Sequence, residues 1–230
     1  MSTPTSHTHP GAQSDVDPAA DAATVNEFWD ERYRGLRAAN GTAVPTPSPL
    51  LVEVASGLAP GDALDLGCAG GGDTCWLAAH GWRVTGVDIS AVALELLMDT
   101  AREAGLDAAI STERHDLAET FPAGRFDLIS AQYLQTPFDF DRATALRRAA
   151  QALLPGGRLL VVDHGAMPPW SHIDPDTYFP TPGEVADGIG LDPAGWVVER
   201  TDVLPRTVTG PDGTVVEIAD NLLLIRRLDV

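Results

Sequence analysis

The stretch from Ala63 to Ser90 constrains the fold of this 230-residue chain more than any other. It combines an apolar strand, a glycine-rich turn (Gly67–Gly72), a helix that Asp73 can cap, and a second strand that ends at Asp88. Strand, helix and strand in this order predict a right-handed βαβ unit of the kind that binds nucleosides. The glycines let the backbone bend tightly and approach a ligand, because no side chain intervenes.

Asp88 is the candidate ribose-binding residue. A carboxylate only accepts hydrogen bonds, so Asp88 can hold both hydroxyl groups of a ribose. It lies 21 positions after Gly67, close to the ~20-residue offset expected for this role. Ala69 occupies the position at which a dinucleotide-binding turn carries its second glycine, which weighs against NAD or FAD. Asp65, two residues before Gly67, favours a cationic ligand over a pyrophosphate anion.

Three segments of the chain resemble a known family. Residues 65–71 (DLGCAGG) resemble the first motif of the class I S-adenosylmethionine-dependent methyltransferases, with Ala69 where glycine is usual. Residues 28–33 (FWDERY) resemble the N-terminal signature of the tellurite-resistance and thiopurine-type methyltransferases, and residues 153–165 (LLPGGRLLVVDHG) also fit the class I pattern. The resemblance covers roughly residues 28–228. It implies a Rossmann-like α/β fold, in which a seven-stranded, mostly parallel sheet carries helices on both faces and a C-terminal antiparallel β-hairpin.

The resemblance also implies a binding site for S-adenosylmethionine, with S-adenosylhomocysteine as the product. The candidate cofactor-binding residues are Asp65, Gly67, Cys68, Ala69, Gly71, Asp88, Ile89, Asp116, Leu117, Gln132, Trp29 and Tyr33. Ile89 follows the ribose acid and can press on an adenine face. By resemblance Asp116 accepts the adenine amino group with help from the Leu117 backbone; an aspartate that caps its own turn is the alternative. Trp29 and Tyr33 share one face of a predicted helix, which by resemblance closes over cofactor and substrate; simple packing on the domain is the alternative.

The carboxyl ends of the fourth and fifth predicted strands supply the candidate catalytic residues, since ligands bind at this edge of a parallel sheet. Gln132 and Tyr133 end the fourth strand, which by resemblance faces the sulfonium of the cofactor, and Gln135 is a further polar candidate. His164 ends the fifth strand, where a side chain with an ordinary pKa of ~6.5 suits a general base. A histidine that hydrogen-bonds a loop is the alternative.

We divide the chain into a disordered tail (1–23) and a class I methyltransferase domain (24–230). The tail is rich in Ser, Thr, Pro, Asp and Ala, a composition that buries too little apolar surface to fold. Within the domain, residues 24–58 are expected to form N-terminal cap helices. Residues 165–190 begin with a stretch rich in proline and aromatic side chains, which predicts a substrate lid insertion. A loop that covers the core is the alternative.

Charge and composition exclude several partners. The net charge is −18 and all 15 basic residues are arginine, so nucleic acids and anionic membranes should be repelled. Without lysine the chain cannot form a Schiff base. Cys68 and Cys75 are predicted to be reduced, packed thiols, and no metal site is predicted, since His7 and His9 lie in the tail. No apolar run reaches the ~20 residues of a membrane span, and we expect a cytoplasmic monomer or homodimer.

We therefore expect an enzyme that transfers the methyl group of S-adenosylmethionine to an N, O, S or Se atom of a small molecule by in-line displacement. A sulfonium is a good leaving group, so positioning can supply most of the acceleration, at best roughly 7–11 kcal/mol. Two alternatives stay open. One is a cofactor-binding protein of the same fold with a role in rearrangement or regulation, and the other is an NAD-dependent oxidoreductase.

Overall fold

The computed structural model is built on one mixed β-sheet. It describes residues 17–41, 43–171, 173–174 and 176–229. The strands in these residues are β1 (Asp62–Leu66), β2 (Arg83–Asp88), β3 (Ile110–Arg114), β4 (Phe126–Gln132), β5 (Leu153–His164), β6 (Trp196–Thr209) and β7 (Val215–Arg227). They lie in the order β3-β2-β1-β4-β5-β7-β6. The first five strands run parallel, β7 pairs antiparallel with β5, and β6 pairs antiparallel with β7. The predicted fold class, with its closing hairpin, is confirmed.

Helices cover both faces of this sheet. Those of the described residues are α1 (Ala22–Asn40), α2 (Pro49–Ala55), α3 (Gly72–Ala79), α4 (Ala91–Glu103), α5 (Arg142–Gln151) and α6 (Pro182–Ile189). Neighbouring strand residues alternate between the faces, so that Ala63 packs with α2, α3 and α4 while Leu64 packs with α5 and α6. Such two-sided burial is the reason why the central strands are continuous apolar runs. None of these helices is both long and apolar enough to cross a membrane.

The βαβ unit forms as predicted, with one correction at the start of its helix. The residue before α3 is Gly71, which has a left-handed φ of 85° and offers no side chain as a cap. Asp73, the predicted cap, lies within the first turn of α3. Its carboxylate instead accepts a hydrogen bond from the Ser48 N–H at 2.6 Å. Ser90 is a plausible helix cap from its residue type, and it caps α4, because Ser90 Oγ accepts from the Ala93 N–H.

The N-terminal helix begins earlier than predicted. The predicted tail is described only from Asp17 onward, and His7 and His9 lie outside the described residues. α1 begins at Ala22, two residues before the predicted start, because the Asp21 carboxylate accepts a backbone N–H of the first turn and caps the helix.

Two strands are longer than the sequence predicts, which is 158–163 for the fifth strand and 196–204 for the sixth. β5 already begins at Leu153, so the turn Pro155–Gly157, expected to separate helix and strand, lies within the strand. β6 continues to Thr209 instead of ending at Leu204. The reason is that its pairing with β7 extends as far as the hairpin turn. Neither difference moves the carboxyl ends of β4 and β5.

Candidate active site

The glycine-rich turn joins β1 to α3 and is fixed against β2. The N–H groups of Gly67 and Cys68 both donate to the Val87 carbonyl, at 2.8 and 2.9 Å. Gly67 and Gly71 have left-handed φ values of 72° and 85°, which glycine adopts without strain. A side chain at Gly71 would also collide with Leu97 of α4. The path of the backbone therefore requires both glycines.

Ala69 is the residue at which this turn departs from the first motif of the resembled family. It has a left-handed φ of 49°, a conformation that costs a residue with a Cβ roughly 1–2 kcal/mol. The structure thus explains why glycine is usual at this position. The Ala69 N–H donates to Asp88 Oδ2 at 3.1 Å, so the turn keeps its contact with β2 despite this strain.

Asp88 ends β2, and its carboxylate is held by backbone donors beside the turn. Oδ2 accepts from the Ala69 N–H, and Oδ1 accepts from the Ser90 N–H at 2.9 Å. Burial raises the pKa of Asp88 from 3.8 to about 6, although the backbone hydrogen bonds favour the charged form. A fixed, buried acceptor therefore lies where the sequence predicts the ribose contact.

Two further carboxylates lie around the same turn, Asp65 buried and Asp73 half-buried; with Asp88 we call them the turn carboxylates (Asp65, Asp73 and Asp88). Asp65 Oδ2 accepts from Thr74 Oγ1 at 2.6 Å. Burial, and to a smaller extent the charge of Asp73, raises the pKa of Asp65 to about 7. Removal from water also raises the pKa of Asp73, to about 6. Within the described residues no ion pair involves a turn carboxylate. A cation over the turn would favour their charged forms, so the cluster suits a positively charged ligand.

α1 lies beside the ribose acid and brings Trp29 and Tyr33 to this part of the site. Asp30 Oδ1 accepts from Ser90 Oγ at 2.5 Å, which ties α1 to the start of α4. Burial and next the charge of Asp88 raise the pKa of Tyr33 well above its ordinary value. Trp29 stacks on Tyr33 with ring centroids 6.2 Å apart. The helix packs on the domain next to the predicted ribose acid, as one interpretation expected. Its closure over cofactor and substrate stays a prediction.

The predicted adenine contacts lie on the loops that follow β2 and β3. Ile89 is partly buried, and its carbonyl accepts from Arg114 Nε at 2.8 Å. Asp116 Oδ1 accepts from the Ala118 N–H at 3.0 Å, so this carboxylate caps its own turn. Leu117 is buried against the core. The adenine contact of Asp116 stays a prediction beside this structural role.

The end of β4 lies against the glycine-rich turn. Tyr133 has a left-handed φ of 50°, a backbone strain of the kind that clusters at functional sites. The Leu134 side chain comes within 2.9 Å of the position that a Cβ would take at Gly67. Gln132 Oε1 and Gln135 Oε1 are buried, with no hydrogen-bond partner among the described residues. The predicted polar residues are therefore beside the turn.

His164 joins this group from the end of β5. Its ring stacks on Tyr133 with centroids 4.4 Å apart and an interplanar angle of 27°. The Phe179 ring meets His164 edge-on at 6.3 Å. The structure thus brings the three predicted catalytic residues, Gln132, Tyr133 and His164, to one edge of the sheet.

Asp220 of β7 is a charged residue at this edge that was not predicted from the sequence. It pairs with His164 in the β5–β7 ladder and is 5% exposed. Asp220 Oδ2 forms an ion pair with Arg206 Nε at 2.6 Å, whereas Oδ1 is buried without a partner among the described residues. Burial and next the charge of Asp220 raise the pKa of Tyr133 above its ordinary value. The available signal was a pair of polar residues, Asp220 and Asn221, that interrupts an apolar strand.

The segment after β5 returns to the same stretch of β7. The N–H groups of Gly165 and Ala166 donate to the Ala219 carbonyl at 2.8 and 3.2 Å. Asn221 Nδ2 donates to the Pro180 carbonyl at 2.8 Å. The described part of the predicted insertion is thus attached to β7 at its start and at Pro180. Both attachments lie next to Asp220. Its role as a lid stays a prediction.

Known methyltransferases match part of this chain. Residues 63–157 match a family model described as a methyltransferase domain. The chain is 30% identical over 163 residues to 27-O-demethylrifamycin SV methyltransferase of Amycolatopsis mediterranei. The aligned region is 67% of this chain and 59% of that protein. It is 34% identical over 116 residues to ribosomal RNA small subunit methyltransferase C of Alcanivorax borkumensis. Here the aligned region is 47% of this chain and 34% of that protein. The chain thus spans from about a third to three-fifths of the length of these relatives.

Solved structures share the fold. TehB from Haemophilus influenzae is 19% identical, with a TM-score of 0.64 over 89% of this chain and 67% of that chain. A structure from work on the conversion of a disulfide bond into a thioacetal group during echinomycin biosynthesis is 28% identical. Its TM-score is 0.65, over 88% of this chain and 93% of that chain.

Residues 63–157 are therefore a methyltransferase domain, and the resemblance of the chain to the class I S-adenosylmethionine-dependent methyltransferases is confirmed. S-adenosylmethionine is the cofactor of this family. The residues present fit it in two respects. The turn carboxylates suit its positive charge, and the buried, backbone-held carboxylate of Asp88 suits its ribose.

Proposed function

We propose that this protein transfers the methyl group of S-adenosylmethionine to an N, O, S or Se atom of a small molecule. The observation that carries the proposal is the strained glycine-rich turn together with Asp88, whose carboxylate is held at the turn by the Ala69 N–H. When bound, the cofactor supplies an activated methyl group on a positively charged sulfur. The buried carboxylate of Asp65 and the half-buried carboxylate of Asp73 beside the same turn support binding of that charge.

We assign the cofactor contacts to the turn, the ends of β2 and β4, the loop after β3 and α1. The residues are Asp65, Gly67, Cys68, Ala69, Gly71, Asp88, Ile89, Asp116, Leu117, Gln132, Trp29 and Tyr33. In this proposal residues 24–58 form the cap over the cofactor and residues 165–190 border the substrate.

The acceptor side is assigned to Gln132, Tyr133 and His164. Because burial and Asp220 raise the pKa of Tyr133, its hydroxyl stays protonated and acts as a donor instead of a base. Among the three, an imidazole is the group that can take up a proton near neutral pH. A thiolate acceptor needs no base, whereas an alcohol or a phenol gains from His164.

The charge of the chain supports a small molecule as the acceptor. One relative is named for its action on ribosomal RNA, but a net charge of −18 opposes the approach of a phosphate backbone. Cys68 and Cys75 are buried free thiols, and burial raises the pKa of both. Reduced thiols support a cytoplasmic location, with the chain as a monomer or homodimer.

Calorimetry with S-adenosylmethionine, S-adenosylhomocysteine and NAD tests the cofactor assignment. We expect S-adenosylmethionine and S-adenosylhomocysteine to bind and NAD not to bind. Binding of NAD without binding of S-adenosylmethionine would contradict the proposal.

Release of S-adenosylhomocysteine in the presence of thiols, phenols and amines tests methyl transfer. The His164→Gln variant should lose activity at pH 7 toward phenols but keep it toward thiols. The matched control is His80→Gln, since His80 stacks on Trp76 at the end of α3, and it should keep both. Cofactor binding without any methylated product would support the non-methylating alternative.

A further inference from the structure

We propose that Asp220 recognises the methyl acceptor and selects molecules that present a hydroxyl or amino group and carry no net negative charge. This inference rests on the proposed function, because it concerns the substrate side of the same site. It follows from one buried oxygen atom, from the position of Asp220 in the sheet, and from the chemistry of its neighbours.

The Asp220 carboxylate is only half satisfied by the protein. Its side chain is 7% exposed, and Oδ2 is paired with Arg206 Nε at 2.6 Å. Oδ1 is buried and has no hydrogen-bond partner within the described part of the chain. The Tyr133 hydroxyl interacts with this carboxylate but does not satisfy Oδ1. A buried carboxylate oxygen without a donor is unfavourable. A donor supplied by a ligand would satisfy it.

The position of Asp220 connects this oxygen to the proposed methyl-transfer site. Asp220 is the ladder partner of His164, whose ring stacks on Tyr133. Burial and then the charge of Asp220 raise the pKa of Tyr133, so the Tyr133 hydroxyl is close to the Asp220 carboxylate. A group bound at Asp220 Oδ1 therefore lies beside Tyr133 and His164, the residues that the proposed function assigns to the acceptor.

Two polar groups at the end of β4 favour the same kind of ligand. Gln132 Oε1 and Gln135 Oε1 are also buried without a partner in the described residues. An amide can turn its NH₂ group toward a ligand, but both oxygens of the Asp220 carboxylate can only accept. An anionic ligand would therefore meet an unpaired acceptor at this edge, and this discriminates against carboxylates and phosphates.

A purely structural role would make Asp220 resemble Asp202, another aspartate of the same hairpin. Asp202 pairs with Arg200 at 2.7 Å, but its side chain is 37% exposed, so water can reach its carboxylate. Asp220 forms an ion pair of the same type and is nearly inaccessible. Asp202 is therefore a matched control: like Asp220, it is an aspartate of this hairpin with an arginine as its ion-pair partner.

Four small molecules with one benzene ring test the proposal directly: benzylamine, benzyl alcohol, toluene and benzoate. Their binding is measured by saturation-transfer NMR, on the wild type, Asp220→Asn and Asp202→Asn, with and without S-adenosylhomocysteine. We expect the amine and the alcohol to bind the wild type about tenfold more tightly than toluene or benzoate, as for one hydrogen bond to a charged group. Asp220→Asn should remove most of this preference, and Asp202→Asn should retain it.

Three results would overturn the proposal: no preference for the donor-bearing rings in the wild type, equal or tighter binding of benzoate, or a preference that survives Asp220→Asn. Should Asp220→Asn fail to fold, the wild type still decides through its amide spectrum. Benzylamine should shift the amide signals of Gly165 and Asn221, and unshifted signals would refute the site. Failure of the proposed function is separate, since it shows as the absence of S-adenosylhomocysteine binding by calorimetry.

Discussion

Replacing Ala69 by glycine should stabilise this protein, although glycine usually does the opposite. Ala69 has a φ of 49°, and this left-handed conformation costs a residue with a Cβ roughly 1–2 kcal/mol. Glycine removes that cost but gives the unfolded chain more freedom, which offsets roughly 0.5–1 kcal/mol. The hydrogen bond to Asp88 Oδ2 comes from the Ala69 N–H and is retained. We therefore expect a net gain of about 0.5–1 kcal/mol.

Urea unfolding and thermal melting measure this change. For a chain of this size, the gain corresponds to a rise of about 1–4 °C in Tm. The control is Ala38→Gly, because Ala38 is an exposed residue of α1, where glycine should lower the free energy of unfolding by about 0.5–1 kcal/mol. If Ala69→Gly destabilises the protein as much as the control does, the left-handed turn is not strained and the reasoning is wrong.

Three further predictions concern pH, a buried ion pair and the N-terminal helix. Because the turn carboxylates have pKa values of about 6 to 7 against 3.8 ordinarily, the unfolded chain binds fewer protons between about pH 4 and 7. The free energy of unfolding should therefore fall across this window as pH rises, and a melting series on the wild type and Asp65→Asn should show a weaker fall in the variant. Arg142→Gln leaves the Asp163 carboxylate buried without its partner and should cost roughly 3–5 kcal/mol in urea unfolding, whereas Arg102→Gln breaks an exposed pair and should cost less than about 1 kcal/mol. Asp30→Ala removes the hydrogen bond that ties α1 to Ser90 at the start of α4 and should speed amide hydrogen exchange in α1 but not in α5.

The βαβ unit could be predicted from the sequence because its determinants are local. Gly67 and Gly71 are glycines for reasons of backbone geometry, and Asp88 follows at the distance that one strand, one helix and one strand require. The ends of β4 and β5 were also predictable, since parallel strands bring their carboxyl ends to one edge. Gln132 and His164 were found in this way.

The contacts that depend on distant parts of the chain could not be predicted. Asp73 has the residue type of a helix cap and lies near the start of α3. Its carboxylate instead accepts a hydrogen bond from the N–H of Ser48, the residue before α2. Asp30 contacts Ser90, which lies 60 positions away. Asp220 lies beside His164 at the end of β5 only because β7 is inserted between β5 and β6 in the sheet. Sequence periodicity marks such residues as polar and gives no information about their partners.

The affinity of Asp88→Ala for S-adenosylhomocysteine, measured by calorimetry, tests the central claim most directly. The hydrogen bonds of a carboxylate to the ribose are worth roughly 1.5–3 kcal/mol, so the Kd should rise about tenfold or more. Asp62→Ala is the matched control, because Asp62 begins β1 in an exposed pair with Arg83, far from the turn, and its Kd should match the wild type. A Kd for folded Asp88→Ala that equals the wild-type value would contradict the account.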